Sequence, residues 1–379
     1  MVGLSNVFTN VTGRIDSNKN ISKVKRDKLV KFAQEHMPPD HLHVWNANID
    51  GIIIQLRTND SHLIDFWIEN WFPAALTARP HGIIYAAVDV PNQKPYAYYN
   101  TDTKTAIFLN TNYYGQCKSW ALGIVADIME MQHDIHSIHG AVVDVGGTGV
   151  VIIAPTGTGK STHSYGLVFG LASARMHSDD WTYVDYVGGE SKYSKRASAT
   201  ISERKFYIRT DISKTYPQLA KLFQRCKLEN VKNDDFAAFK NSRAIMDPLW
   251  IGGPEKFINT TRLRTVVLLR RDQESPPEVE LKADDAIEIL REGAYMVLPG
   301  GGPEEEWGKT KYEPFYNPYL LVRDKEREQL QIDFFSQLFE FASCHILNTG
   351  VETVEQTQAR IRRIVKEAAR KVHSENNSI

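Results

Sequence analysis

Cysteine is scarce in this chain: Cys117, Cys226 and Cys344 are spread through 379 residues. An odd, widely spaced set fits neither a disulfide framework nor a zinc knuckle, so the three read as reduced thiols. Long apolar runs are absent too. Residues 1–20 carry Asn, Ser, Thr and charges in place of a basic start and an apolar stretch, and no later segment approaches the ~20 residues of a membrane span. The expectation is a soluble, cytoplasmic protein with no membrane partner. Excess charge is lacking as well, since the formal net charge is −1, which leaves no global field to draw in nucleic acid. A small anionic ligand has to be gripped by local charge. No internal repeat is visible, and nothing in the composition sets an oligomeric state. The length allows two domains, or one large domain with insertions.

What is present changes in texture along the chain. Residues 1–25 and the last ten or so are polar, which predicts fraying at both ends. Between residues 41 and 110, IIIQLRT, GIIYAAVDV and TAIFLN are β-branched or aromatic runs separated by turn residues, so strands are expected. SHLIDFWIENWF has a helical repeat through Leu63, Phe66, Trp67 and Trp71. From about residue 116, KSWALGIVADIMEMQ predicts a helix, while AVVDV and GVVIIA predict strands joined at Gly146-Gly147. WTYVDYV and KYSKRAS read as a hairpin around Gly188-Gly189 and TVVLLRR as a buried strand. KEREQLQIDFFSQLFEFA and VEQTQARIRRIVKEAA read as amphipathic helices. The boundary is placed so that residues 1–112 form a smaller β-rich domain, a candidate acceptor-binding region, and residues 113–379 the catalytic domain.

Ala154-Pro155-Thr156-Gly157-Thr158-Gly159-Lys160-Ser161 fits the Walker A pattern, with Ala154 in place of its first Gly. Gly157 and Gly159 allow the backbone to curl until successive N–H groups face phosphate oxygens, and the following helix adds its positive end. Thr156, Gly157, Thr158, Gly159, Lys160, Ser161 and Thr162 are therefore candidate nucleotide contacts. Lys160 suits the β and γ phosphates, and the Ser161 hydroxyl suits Mg²⁺. A chance glycine turn can also match this pattern, but a β-branched run before it and a helix after it supply the required setting.

About twenty residues on, His177-Ser178-Asp179-Asp180-Trp181 sets two carboxylates side by side at a strand end. Alone, such a pair is more often a solvated turn. Near a triphosphate, one acid can hold the metal, a task given to Asp180, and the other can accept a proton from an attacking hydroxyl, a task given to Asp179. His139 precedes the first of the two strands that lead to the loop, where a lone histidine is more often structural.

In combination, these motifs resemble the phosphoenolpyruvate carboxykinase and HPr kinase superfamily. YGQCKS at 114–119, IHGAVVDVGGTGVVIIAPTGTGKST, HSDDW, SERKFYIRTDIS, KLENV, NSRAIMDP, LNTG and EQTQARIRRI follow in that family's order over about residues 113–365. The resemblance implies a mixed α/β (α+β) catalytic domain with mixed sheets. It adds Lys118 and His139 near the acceptor or a second metal, with His139 as a metal ligand beside Ser161 and Asp180. It also implies Glu203 and Arg209 over the triphosphate, Arg243 on the transferred group and Thr357 at the adenine. There are departures. Ser119 stands where a carboxykinase has a second lysine that ligates Mn²⁺, and Arg79 in LTARPHG is the nearest candidate for that family's N-terminal arginine motif. The His139-Gly140 pair is closer to the HPr kinase side, without that enzyme's C-terminal signature.

The preferred expectation is an ATP-dependent kinase that uses Mg²⁺, or Mn²⁺, to phosphorylate a hydroxyl of a small molecule or protein. Its catalytic set is Asp179, Lys160, Arg243, His139 and Lys118. A carboxykinase-type lyase acting on oxaloacetate and ATP, and a nucleotide-binding regulator without turnover, stay open. So do the choice between ATP and GTP and the role of GGGPEEEWGKTKYEP at 300–314, as a lid or an ordinary surface loop. Trp45, Trp67, Trp71 and PYAYYN are candidates for an acceptor pocket, although such aromatics more often build a core.

Overall fold

Gly146 and Gly147, at φ +61° and +89°, turn the chain between Ala141–Val145 and Thr148–Ile153. These strands pair antiparallel from Ala141 opposite Ile152 to Val145 opposite Thr148. This hairpin lies in a mixed sheet in which Thr148–Ile153 runs parallel to Thr260–Arg270, itself parallel to Ser343–Asn348. The loops that leave these three strands, at residues 154, 271 and 349, therefore emerge along one edge, where ligands of α/β sheets are commonly held. The computed structural model describes residues 7–8, 13–188, 196–231, 235–236, 241–297 and 303–376.

The chain is mixed α/β. Its helices are α1 (Lys23–Glu35), α2 (Ser61–Asn70), α3 (Tyr114–Gln132), α4 (Lys160–Gly170), α5 (Gln218–Phe223), α6 (Ala283–Arg291), α7 (Lys325–Leu338) and α8 (Val354–Asn376). Among the described residues, a second sheet runs in the order Ser17–Asn18, Tyr96–Asn100, Thr105–Leu109, Gly82–Ala87, Ile52–Thr58, His43–Ile49, Phe72–Pro73. A smaller sheet joins Val7–Phe8, Lys227–Glu229, Arg243–Met246 and Phe206–Arg209. One buried cluster extends from Ala47 to Met129 and takes in Trp181, Tyr183, Tyr207 and Ile245. α3 is buried on nearly every face, so its helical period carries apolar residues all round.

The strands and helices expected from residue 41 onward are present, and α3 starts four residues ahead of KSWALGIVADIMEMQ. The expected fraying needs correction for the described parts of both ends, while residues 1–6, 9–12 and 377–379 lie outside the described residues. Ser17–Asn18 pairs parallel with Ala97-Tyr98, Ile15 N–H donates to Gln116 Oε1 at 2.9 Å, and α8 runs to Asn376. Backbone donors in the polar N-terminal stretch thus find tertiary acceptors, which offset the entropy of ordering it. Of the hairpin expected around Gly188-Gly189, the strands Thr182–Val187 and Arg196–Ile201 pair antiparallel, while residues 189–195, with Gly189 and the first four residues of KYSKRAS, lie outside the described residues. Of residues 300–314, those at 300–302 lie outside them too. The rest includes Thr310–Glu313, which pairs antiparallel with Gly293–Met296. Trp67 and Trp71 are fully buried, edge to face with centroids 5.8 Å apart, and serve the core.

Candidate active site

The loop after Thr148–Ile153 takes the shape its glycines permit. Gly157 has φ +84° and Gly159 φ +110°, in the left-handed region, and Gly159 caps the N-terminus of α4. A β-carbon on Gly159 would also come within 3.1 Å of the His163 ring. Thr158 closes the turn, its hydroxyl donating to the Pro155 carbonyl at 2.6 Å, while the Thr349 hydroxyl donates to the Thr158 carbonyl at 3.0 Å. The second bond ties the loop to the end of Ser343–Asn348.

Facing it, the strand Ala174–Ser178 ends in a turn held by Ser178. The backbone N–H of Trp181 donates to Ser178 Oγ at 3.1 Å, and that hydroxyl donates to the Trp181 carbonyl at 2.6 Å. The turn presents both aspartates. Asp180 gathers three groups: Lys160 Nζ at 2.7 Å and His139 Nε2 at 3.0 Å, both to Oδ1, and Lys118 Nζ at 2.8 Å to Oδ2. Lys118 also pairs with buried Glu203 at 3.1 Å. Asp179 is buried, and its Oδ1 has no hydrogen-bond partner.

These groups line a cavity of about 470 Å³. On another wall, Arg209 and Arg243 are direct antiparallel partners of the smaller sheet. Like charges placed opposite each other on a sheet repel. Arg209 is paired with Asp211 at 3.1 Å. Arg14, Lys214 and Arg271 line the same space. Its cations outnumber its acids, Asp179, Asp180 and Asp211, which gives the cavity a positive field that favours anions.

The field splits the acidic pair. Burial, then the charges of Glu203 and Asp180, push Asp179 up to about 8 against the pull of Lys118 and Lys160. Burial acts in the same direction on Asp180, but Lys118, Lys160 and His139 together hold it well below the usual carboxylate range. Burial and the neighbouring Lys160 charge push His139 down to about 4. Two adjacent carboxyls are thus pushed in opposite directions by their surroundings, the kind of split that can divide a base from a charge carrier.

No family model matches the sequence, and no curated protein matches it. In structure it is similar to the HPr(Ser) kinase/phosphatase of Coxiella burnetii, at 10% identity over 64% of this chain and 96% of that one, with a TM-score of 0.31. A likeness at that level leaves the site to be understood from its own geometry.

Of the residues singled out in the sequence, Lys118, His139, Thr156, Gly157, Gly159, Lys160, Ser161, Thr162, Asp179, Asp180, Arg209 and Arg243 all line the cavity. Thr158, Glu203 and Thr357 do not. Thr158 is turned into its own loop. Glu203 lies behind Lys118, held by Asn70 Nδ2 at 2.9 Å, and Thr357 is buried on α8 with no hydrogen-bond partner for its hydroxyl. Arg79 is exposed and does not line the cavity. Arg14, Tyr207, Asp211, Lys214, Arg271 and Tyr319 line it without having been singled out. Arg271 carried a usable signal, since it follows a buried parallel strand whose end belongs beside the phosphate loop.

Proposed function

We propose that this cavity binds a nucleoside triphosphate, with ATP as the first candidate, and transfers its terminal phosphoryl group to a hydroxyl acceptor. The observation that carries the proposal is the convergence of the loop lysine Lys160, Lys118 and His139 on Asp180, next to the buried Asp179 carboxyl with its unpartnered oxygen. Phosphoryl transfer asks a protein for positioning and charge stabilisation more than for covalent chemistry. The loop N–H groups and the start of α4 would hold the β and γ phosphates. Lys160 would shift from Asp180 to the phosphate, while Arg209 and Arg243 would balance charge on the equatorial oxygens. Asp179 would take the acceptor proton, and Lys118 would keep the acidic turn in place.

The donor set fits Mg²⁺. Asp180 and Ser161, both on the cavity wall, offer a carboxylate and a hydroxyl and leave the remaining positions to phosphate oxygens and water, the coordination Mg²⁺ prefers at such sites. When bound, Mg²⁺ supplies charge neutralisation between the β and γ phosphates. Among the described residues no group of three His, Cys, Asp or Glu forms a cage able to hold a metal unaided.

The test is to incubate the protein with Mg·ATP and pooled small metabolites and search by mass spectrometry for phosphorylated alcohols, with Lys160→Ala as the control. Products that form only with the wild-type protein are expected. A protein that does not bind ATP, with or without Mg²⁺, would sink the proposal.

A further inference from the structure

Beside the main cavity lies a smaller one of about 160 Å³, and Arg14 and Tyr319 line both. The Arg14 guanidinium donates to Ser119 Oγ at 2.6 Å and sits 4.5 Å from the Tyr319 ring centroid. Farther in, Lys19 donates to the Leu320 carbonyl at 3.0 Å, a neutral acceptor, and Lys311 pairs with Glu306 at 2.6 Å. Glu313 completes the charged lining. We propose that this second cavity binds a small oxyanion, a carboxylate or phosphate group, carried either by the hydroxyl acceptor as it extends past Arg14 or by a free anion.

Size and charge both support the assignment. The cavity, about 160 Å³ against about 470 Å³ for its neighbour, has room for several water molecules and so for an oxyanion group. Around Glu313 and Glu306 stand Arg14, Lys19, Lys311 and Arg323, so positive charge exceeds negative. The Lys19 ammonium registers that excess: burial and then Arg14 push it down to about 8, with Arg323 and Lys311 adding to the effect and Glu313 opposing it. A bound oxyanion would supply the missing counter-charge. Because Arg14 and Tyr319 line both spaces, an acceptor that extends past them would place a hydroxyl at Asp179 and its anionic end at Lys19 and Lys311. Only this acceptor arm rests on the phosphotransferase proposal.

Inorganic phosphate is the probe, titrated by calorimetry into full-length protein saturated with Mg²⁺ and a non-hydrolysable ATP analogue, which occupies the loop. The Lys19→Gln/Lys311→Gln double variant is expected to bind phosphate about tenfold more weakly, as loss of charged hydrogen bonds implies. Its affinity for the nucleotide should stay unchanged. Lys19→Arg/Lys311→Arg should restore phosphate binding, which separates lost charge from lost fold. Glycerol, glycerate and glycerol phosphate, offered as acceptors with Mg·ATP, tell the sources apart. Preference for the charged pair, lost in the Gln variant, assigns the oxyanion to the acceptor; phosphate binding without such preference assigns it to a free anion. Equal phosphate affinity in the wild type and the Gln variant would overturn the site, whatever the nucleotide result, and failure to bind nucleotide would count against the main cavity alone.

Discussion

Lys160 Nζ stands 2.7 Å from Asp180 Oδ1, so the glycine loop and the acidic turn are joined by an ion pair that the proposed triphosphate would have to reorganise. The same carboxylate holds Lys118 at 2.8 Å through Oδ2. Asp180→Asn should therefore do two things at once. It should remove Mg²⁺-dependent transfer, because the carboxylate assigned to the metal is gone. It should also leave the affinity for metal-free ATP unchanged or higher, since two ammonium groups lose their competing anion. Calorimetric titration with ATP in chelator and in excess Mg²⁺ reads both effects. A loss of metal-free affinity comparable to the loss with Mg²⁺ would show that Asp180 supports the loop itself.

Lys160→Ala should weaken ATP binding by about tenfold to a hundredfold, the range set by a charge-assisted hydrogen bond worth roughly 1.5–3 kcal/mol. The fold should survive. Asp180 keeps Lys118 and His139 as partners, so the substitution strands no buried charge. Filter binding with labelled ATP, beside a thermal melt, checks the pair of outcomes. Full nucleotide affinity in a folded variant would remove the basis for reading the loop as a phosphate cradle.

What could be read in the sequence was whatever lies close together along it. The strand, glycine loop and helix from Thr148 to Gly170 are contiguous, and their chemistry depends on backbone geometry that glycine and the β-branched residues dictate locally. Asp179 and Asp180 were visible because adjacent acids are costly without a cation. Arg14 was not visible. It acts on Ser119 across 105 positions, from a polar stretch whose composition suggested fraying, and the pairing of Ser17–Asn18 with Ala97-Tyr98 together with the Ile15–Gln116 bonds brings it to the cavity. Tyr207 was hidden for a similar reason. Its hydroxyl donates to buried Glu229 and its ring lies 5.6 Å from Lys118 Nζ and 5.8 Å from Arg243 Cζ, and no local pattern distinguishes such a tyrosine from one in a core.

The protonation of Asp179 gives a pH signature. As a base it must be ionised, and with its carboxyl raised to about 8 the transfer rate should climb with pH and level off above about that value. The stability effect has the opposite sign. Between its ordinary value of 3.8 and about 8, the folded protein keeps a proton that the unfolded chain releases, so this group's contribution is full at low pH and is lost as pH rises through the window. Asp179→Asn should thus abolish transfer yet keep Mg·ATP binding, and its Tm should gain on the wild type between pH 5 and pH 8. Melts across that range test the linkage. A Tm difference that does not change with pH would mean that Asp179 is ionised throughout.

The relation between Arg14 and Ser119 bears on the carboxykinase alternative. A lyase acting on oxaloacetate must stabilise an enolate as CO₂ leaves, which calls for a cation held close to the developing oxyanion. At the position where the resemblance would place a metal-ligating lysine, Ser119 instead accepts a hydrogen bond from Arg14 at 2.6 Å and donates to the Gln116 carbonyl at 3.1 Å. His139 and Asp180 remain as matching ligands, and Asp180 is shared with two lysines. A second metal should therefore bind weakly, and the Arg14 guanidinium, fixed over the Tyr319 ring, is a binding group rather than a Lewis acid. ATP-dependent conversion of oxaloacetate to phosphoenolpyruvate should stay at background with either Mn²⁺ or Mg²⁺, under conditions where ATP binds. Coupled detection of phosphoenolpyruvate reads this directly. Robust Mn²⁺-dependent formation that disappears in His139→Ala would displace the kinase proposal in favour of the lyase.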